Sequence, residues 1–390
     1  MRKHVLAGLL ALALLPSCTQ EPMDRQTLSL HCIQPPFLQK GDRIALISPS
    51  YSTPMENVEA ASQILREWGF EPVVGPNVGK EYLGKYAGTP EERLSDLEWA
   101  LRDPDIKAIL CNRGGYGTIQ LTTMLPLQDI SAHPKWMIGF SDITTLHGME
   151  TRAGVMSIHG TMCSLMAKSQ GAGYTNTLLR DILNGTIPEY VLPAHPLNRP
   201  GHATGTLVGG NLCTFTPILG TDADATLGQD ILLFIEEVEE DMSHIDRLIN
   251  ALLLNGVFDR CRGVILGEFT DCKANLDYGS VEEMICSYLK DLGIPVLCGF
   301  PAGHGDVNLP LIMGAPATMD VSSTGATLSF GMNTPKDTIS TETALLQQQA
   351  SDMRKEEKQS KLVRIINFLR YYNGLTPQSK PDKQRPKTDR

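Results

Sequence analysis

The sequence predicts an α/β protein of two domains, a parallel-sheet N-terminal domain followed by a smaller, β-rich α/β domain. Three observations point there. From Gly41 onward, short β-like runs alternate with helical patterns, an order that calls for crossover helices over a parallel sheet. The chain has 390 residues, more than one small core organises. An aperiodic stretch with several prolines, "PEYVLPAHPLNRPGHA", divides the pattern in two. Hydrophobic residues make up 42% and charged residues 20%, an ordinary globular balance. The formal net charge of −10 argues against nucleic-acid binding, because a polyanion would be repelled over most of the surface.

Residues 1–18 read as a lipoprotein signal. Arg2 and Lys3 precede an apolar run, Val5 to Leu15, that is too short to span a bilayer. "LPSC" then resembles a bacterial lipoprotein processing box, with Pro16 a loose fit. Cys18 would carry the lipid and residues 19–39 would form a polar tether, placing the protein in a bacterial cell envelope, on a periplasmic or outer-membrane face. A plain secretory signal cleaved near the same place is the alternative.

Residues 40–187 form the first predicted domain. "RIALISPS" reads as a strand ending in a Ser/Pro turn, and "NVEAASQILREWG" as a helix closed by Gly. "EPVVGP" is a short strand, and "TPEERLSDLEWALRDP" a helix opened by a capping box at Thr89 and Glu92. "IKAILCNRGGYG" and "WMIGFSD" are two further strands with turns. Ligands of such sheets sit beyond the carboxyl ends of the strands, where "SPS", "RGGYG" and "FSD" all fall. Residues 188–203 read as a linker, and 204–333 as the second domain, with "ATGTLVGGNLCTF", "DILLFIEEVEE", the helix "SHIDRLINALLLNG", "RGVILGEF" and "IPVLCGFPAGHG". Residues 334–390 form a charged tail with one amphipathic segment, "KLVRIINFLRYY", whose Leu362, Ile365, Ile366 and Leu369 share a face. Docking on the body, contact with an anionic lipid surface and idleness are all open to it.

Chemistry concentrates at "KWMIGFSDIT". Ser141 follows an apolar run, with Gly139 two residues before it, so it is either a helix N-cap or a nucleophile on a tight turn. A serine nucleophile needs a base, an orienting carboxylate and an oxyanion hole. Of nine histidines, His159 and His304 follow apolar runs beside Gly, the setting of a strand-end loop, whereas His147 reads as packing and His244 as a helix-face residue. Glu236 directly follows a buried-looking strand; the adjacent Glu237 competes with it, and a solvated acidic loop is the bland reading of both. The eight cysteines after Cys18 show no CxxC pair and no framework spacing, so most read as buried free thiols. There is no HExxH, and neither metal nor cofactor is expected.

In order along the chain, "RGGYG", "GFSD", "HGTM", "GGNL", "LLFIEE…IDR" and "GFPAGHG…LPLIMGA" resemble the serine LD-carboxypeptidases of murein recycling and their relatives, the microcin C self-immunity hydrolases. The resemblance covers about Lys40 to Phe330. It implies hydrolysis of an L,D-peptide bond, with release of terminal D-Ala from a murein tetrapeptide. It places the nucleophile at Ser141, the triad acid at Glu236, the triad base at His304, and the oxyanion-hole amides at Gly115 and Asp142. A homodimer with its active site between the domains is implied as well. Arg113, Asn211, His159 and Ser50 are candidates for the substrate's polar ends, with backbone hydrogen bonding the alternative. An amidase acting on peptidyl or aminoacyl-nucleotide antibiotics and a non-catalytic murein-binding lipoprotein are the rival readings.

Overall fold

The computed structural model of the protein describes residues 31–334. Cys18, the signal and the amphipathic tail segment lie outside the described residues. Thirteen strands occur among those described: β1 (Arg43–Ile47), β2 (Glu71–Val74), β3 (Ile106–Cys111), β4 (Trp136–Gly139), β5 (Ser157–His159), β6 (Tyr190–Pro193), β7 (Gly201–Asn211), β8 (Ile231–Val238), β9 (Cys261–Thr270), β10 (Val296–Cys298), β11 (Leu311–Met313), β12 (Pro316–Val321) and β13 (Gly325–Phe330). One sheet has the order β11-β5-β4-β3-β1-β2, the other β10-β9-β8-β7-β12-β13-β6. β1 to β5 are mutually parallel, and β11 joins them antiparallel. In the second sheet β7 to β10 are parallel, while β12, β13 and β6 pair antiparallel.

The local chemistry explains these elements. "RIALI", "IKAILC" and "ILLFIEEV" are near-continuous apolar runs, as strands covered on both faces require, and almost every residue in them is buried. The helix Met55–Glu67 turns Val58, Ala61, Ile64 and Leu65 inward. The helix Pro90–Arg102 opens with the expected capping box: Thr89 Oγ1 accepts from the Glu92 N–H at 3.3 Å, and Glu92 Oε2 accepts from the Thr89 N–H at 2.9 Å. The turns after β1, β3, β4 and β5 share one rim, which carries Ser50, Arg113, Ser141 and His159.

Two segments differ from the sequence expectation. Within the stretch read as a linker, Tyr190–Pro193 is the edge strand β6, paired with β13, and β7 begins at Gly201. An edge strand tolerates Pro193 because one side of its backbone has no partner strand, which is why prolines hid it. The second segment is β11, which follows the second domain's strands in sequence yet pairs with β5 of the first sheet, Leu311 opposite His159. Leu311, Ile312 and Met313 are all buried, and full burial of side chains this size contributes about 1.5–3 kcal/mol each. The two sheets are therefore tied together beside the site.

The end of the expected tether also packs on the body. The Met156 N–H donates to Ile33 O at 2.9 Å and the Trp136 indole N–H to Pro36 O at 3.0 Å. The eight described cysteines are free thiols, five of them buried.

Candidate active site

Ser141 ends the turn after β4 with φ +63°, a left-handed conformation that a non-glycine residue holds at a cost of about 1–2 kcal/mol. Ser141 makes no side-chain cap for the helix that follows, so the N-cap reading finds no hydrogen bond here. Its Oγ lies 3.0 Å from His304 Nε2, and His304 Nδ1 lies 2.7 Å from Glu236 Oε2. The carboxylate accepts the Nδ1 proton, which leaves Nε2 free to accept from the Ser141 hydroxyl. Glu236 is fully buried at the end of β8. Burial works to lower the His304 pKa, but its hydrogen bond to Glu236 and the charges of Glu236, Glu237 and Glu239 together raise it above the ordinary value.

Glu237, the neighbouring competitor, is engaged elsewhere. It accepts from Asn211 Nδ2 at 2.8 Å, from the Val238 N–H at 2.9 Å and from the Cys213 N–H at 2.8 Å. Its carboxyl pKa is raised by burial. Adjacent strand residues face opposite sides, so only one of the two acids reaches His304.

The Gly-rich turn after β3 packs directly on the nucleophile. A Cβ on Gly114 would sit 3.0 Å from Ser141 Cβ, and Gly115, at φ +120°, would drive one to 2.2 Å from the Tyr51 ring. Asp142 fixes the turn from below: its Oδ2 accepts from Ser50 Oγ at 2.7 Å and from the Thr118 N–H at 2.9 Å, while Thr118 Oγ1 donates to Asp142 O at 2.6 Å. Burial raises the Asp142 pKa, and the Ser50 and Thr118 hydrogen bonds oppose that shift.

The candidates for substrate contact separate here. Ser50 is buried and committed to Asp142. Asn211 is buried as well: its Oδ1 caps the short helix Leu212–Phe215 through the Thr214 N–H, and its Nδ2 holds Glu237. His159 is buried between Phe140 and Phe234, and burial pushes its pKa down to about 3. Its neutral ring bonds Asn308 Oδ1 at 3.2 Å, and that oxygen also accepts from the Gly303 N–H at 3.1 Å. His159 thus braces the loop that carries His304. Of the four, Arg113 alone stays exposed, its guanidinium 5.9 Å from the centroid of Tyr51. His147 packs, as expected, bonding Gly139 O and Ser157 Oγ.

Sequence reasoning missed Thr118, Arg93, Asn308 and Glu268. Arg93 is a buried helix residue whose Nη1 donates to Pro49 O at 2.7 Å and Gly117 O at 2.9 Å, so it fastens two rim turns together. Glu268 lies against Gly305, and burial pushes its carboxyl up to about 7. A charged residue inside an amphipathic helix or at a strand end gave no signal for either role. Among the described residues, no group of three His, Cys, Asp or Glu side chains is arranged to hold a metal ion.

Residues 44–160 match the family described as the LD-carboxypeptidase N-terminal domain, and residues 204–319 its C-terminal domain. The chain belongs to the LD-carboxypeptidase family. As a member it is a serine peptidase. Among its relatives, the murein tetrapeptide carboxypeptidase of Pseudomonas aeruginosa is 31% identical over 291 residues, covering 71% of this chain and 93% of that one. The microcin C7 self-immunity protein of Escherichia coli is 28% identical, covering 73% and 91%. The crystal structure of a muramoyltetrapeptide carboxypeptidase from Oxalobacter formigenes superposes with a TM-score of 0.67 at 26% identity, covering 75% of this LD-carboxypeptidase and all of its neighbour.

Proposed function

We propose that this LD-carboxypeptidase releases the terminal D-alanine of a murein tetrapeptide, with Ser141 as nucleophile, His304 as general base and Glu236 as the acid that orients it. The observation that carries the reading is the continuous hydrogen-bonded line from Ser141 Oγ through the His304 ring to the buried Glu236 carboxylate. Attack by Ser141 on the L,D-peptide carbonyl passes the hydroxyl proton to Nε2. The tetrahedral oxyanion meets the N–H groups of Gly115 and Asp142, and His304 returns the proton to the leaving amine. Water then repeats the sequence on the acyl-enzyme. Arg113 has no carboxylate partner among the described residues, and it stands two residues from Gly115. It binds the terminal carboxylate that an exopeptidase must recognise.

Purified Ser141→Ala protein should leave tetrapeptide unchanged by mass spectrometry while the parent releases D-alanine; equal turnover by the two removes the assignment. Cys18, by the same proposal, carries a lipid that holds the enzyme in the cell envelope. Incorporation of labelled palmitate should disappear in Cys18→Ala, and retention would discard the anchor. The enzyme acts as a homodimer, checked by sedimentation.

One observation favours a second substrate class. Tyr51, Tyr82, Tyr86 and Tyr116 cluster beside the Gly-rich turn, with ring centroids 5.7–6.5 Å apart along the contacts Tyr51–Tyr86, Tyr82–Tyr86 and Tyr86–Tyr116. Such a surface would stack a nucleobase. Turnover of an aminoacyl sulfamoyl adenosine faster than tetrapeptide would select that reading.

A further inference from the structure

Two thiols of the second domain face one another where a helix meets a strand. Cys286 lies on the helix Val281–Leu289 and Cys298 ends β10, with their sulfurs 3.8 Å apart. Among the described residues no other two thiols are hydrogen-bonded to each other. Cys298 is buried, whereas Cys286 is half-buried and open to a reagent. A disulfide holds its sulfurs about 2.05 Å apart, so bonding asks for an approach of about 2 Å between helix and strand. Both partners are already held in place. The Cys298 N–H donates to Asn198 Oδ1 at 2.8 Å, and its thiol reaches Leu197 O at 3.5 Å. Arg199 exchanges two backbone hydrogen bonds with Val296 and sends Nη1 to Leu289 O, at the end of the helix, at 2.6 Å. Its Nη2 is buried with no acceptor. The hydrogen bond with Cys298 lowers the Cys286 pKa; burial opposes that shift, and the Arg199 charge supports it against Glu282 and Glu283. A thiolate is the form that attacks a disulfide, which makes Cys286 the entering sulfur.

We propose that Cys286 and Cys298 form a reversible disulfide that fastens the helix Val281–Leu289 to β10. The oxidant is another disulfide, carried by a small molecule or by a thiol–disulfide oxidoreductase. The Cys286 thiolate attacks one of its sulfurs and expels the other, leaving a mixed disulfide on Cys286. Cys298 gives up its proton, attacks the Cys286 sulfur and releases the second thiol. One S–S bond forms in the protein and one breaks in the oxidant. Two electrons pass to the oxidant, and the two thiol protons end on the thiols it becomes. From β10 the chain runs directly into the loop that carries His304, so the bond braces the segment presenting that ring. The inference rests on the thiol geometry and is independent of the peptidase reading.

The test is a peptide map of the folded parent protein after incubation with oxidised glutathione. Remaining thiols are alkylated in denaturant, and the chain is cut with trypsin. Lys290 separates the two cysteines, so the bond leaves peptides 274–290 and 291–336 joined until dithiothreitol parts them. Closing a ring of this size should raise the folded-to-unfolded ratio by about a hundredfold, read as a higher urea midpoint for the oxidised protein. Cys286→Ala should give no joined peptide, and its midpoint should be the same with and without oxidised glutathione. Full alkylation of both cysteines in the parent, or a glutathione adduct on Cys286 that Cys298 does not displace, overturns the proposal. So does a joined peptide that forms only in denaturant, or one that forms in the folded protein and leaves the urea midpoint where it was. The map is made on the parent, so the outcome stands whether or not the variant folds.

Discussion

Replacing Glu236 by Gln changes one charge with almost no change in shape. The side chain is fully buried, with Oε2 2.7 Å from His304 Nδ1 and Oε1 without a partner. If the amide keeps its oxygen toward His304, the NH₂ falls where Oε1 was, a buried donor with no acceptor, which costs about 1–3 kcal/mol of stability. If it turns the other way, two N–H groups face one another and the imidazole must adopt the wrong tautomer. In either orientation the imidazolium formed during attack loses its counter-charge. With charge centres about 4 Å apart and an effective dielectric near 20, that loss is worth about 4 kcal/mol, or about 10³ in kcat. The assay is D-alanine release from tetrapeptide under saturating substrate, with circular dichroism to show that the variant is folded. A folded Glu236→Gln protein with kcat within about tenfold of the parent would refute the role assigned to this carboxylate. Glu237→Gln supplies the contrast: it should lose stability through its three N–H contacts and leave kcat nearly unchanged.

Three further outcomes are expected. Ser141→Gly and Ser141→Ala both lose the hydrogen bond to His304, yet only Ala retains the strain at φ +63°, so the Gly variant should be more stable by about 1 kcal/mol in urea denaturation; equal midpoints would show no strain. Gly115→Ala meets the Tyr51 ring at 2.2 Å and displaces an N–H assigned to the oxyanion, so kcat should fall by about 10²–10³; a parental rate would remove Gly115 from the hole. His304 acts as a base only when neutral, and its pKa is raised, so kcat/KM should climb with pH through a midpoint above the ordinary histidine value. Burial pushes the Glu268 carboxyl up to about 7 and it interacts electrostatically with His304, so its ionisation should help hold that midpoint up. Glu268→Gln should therefore move the midpoint down, and a pH–rate profile that stays in place would exclude the coupling.

The amino-acid sequence alone determined the elements whose causes are local. Apolar runs marked β1, β3 and β8, the Thr89–Glu92 pair marked the start of its helix, and Gly139 before Ser141 marked the turn after β4. Ordered motifs, through the family resemblance, extended that reading to His304 and Glu236. Tertiary structure decided the rest, because each remaining question concerned which face meets which. β8 is buried on both sides, so its hydrophobic pattern could not say whether Glu236 or Glu237 turns toward the histidine. Asn211, Ser50 and His159 look like polar residues available to a substrate until the fold shows that each is already bonded inside the protein. The pairing of β11 with β5 joins segments about 150 residues apart, a contact that no window of sequence contains, and it is this crossing that carries the His304 loop back to the rim holding Ser141.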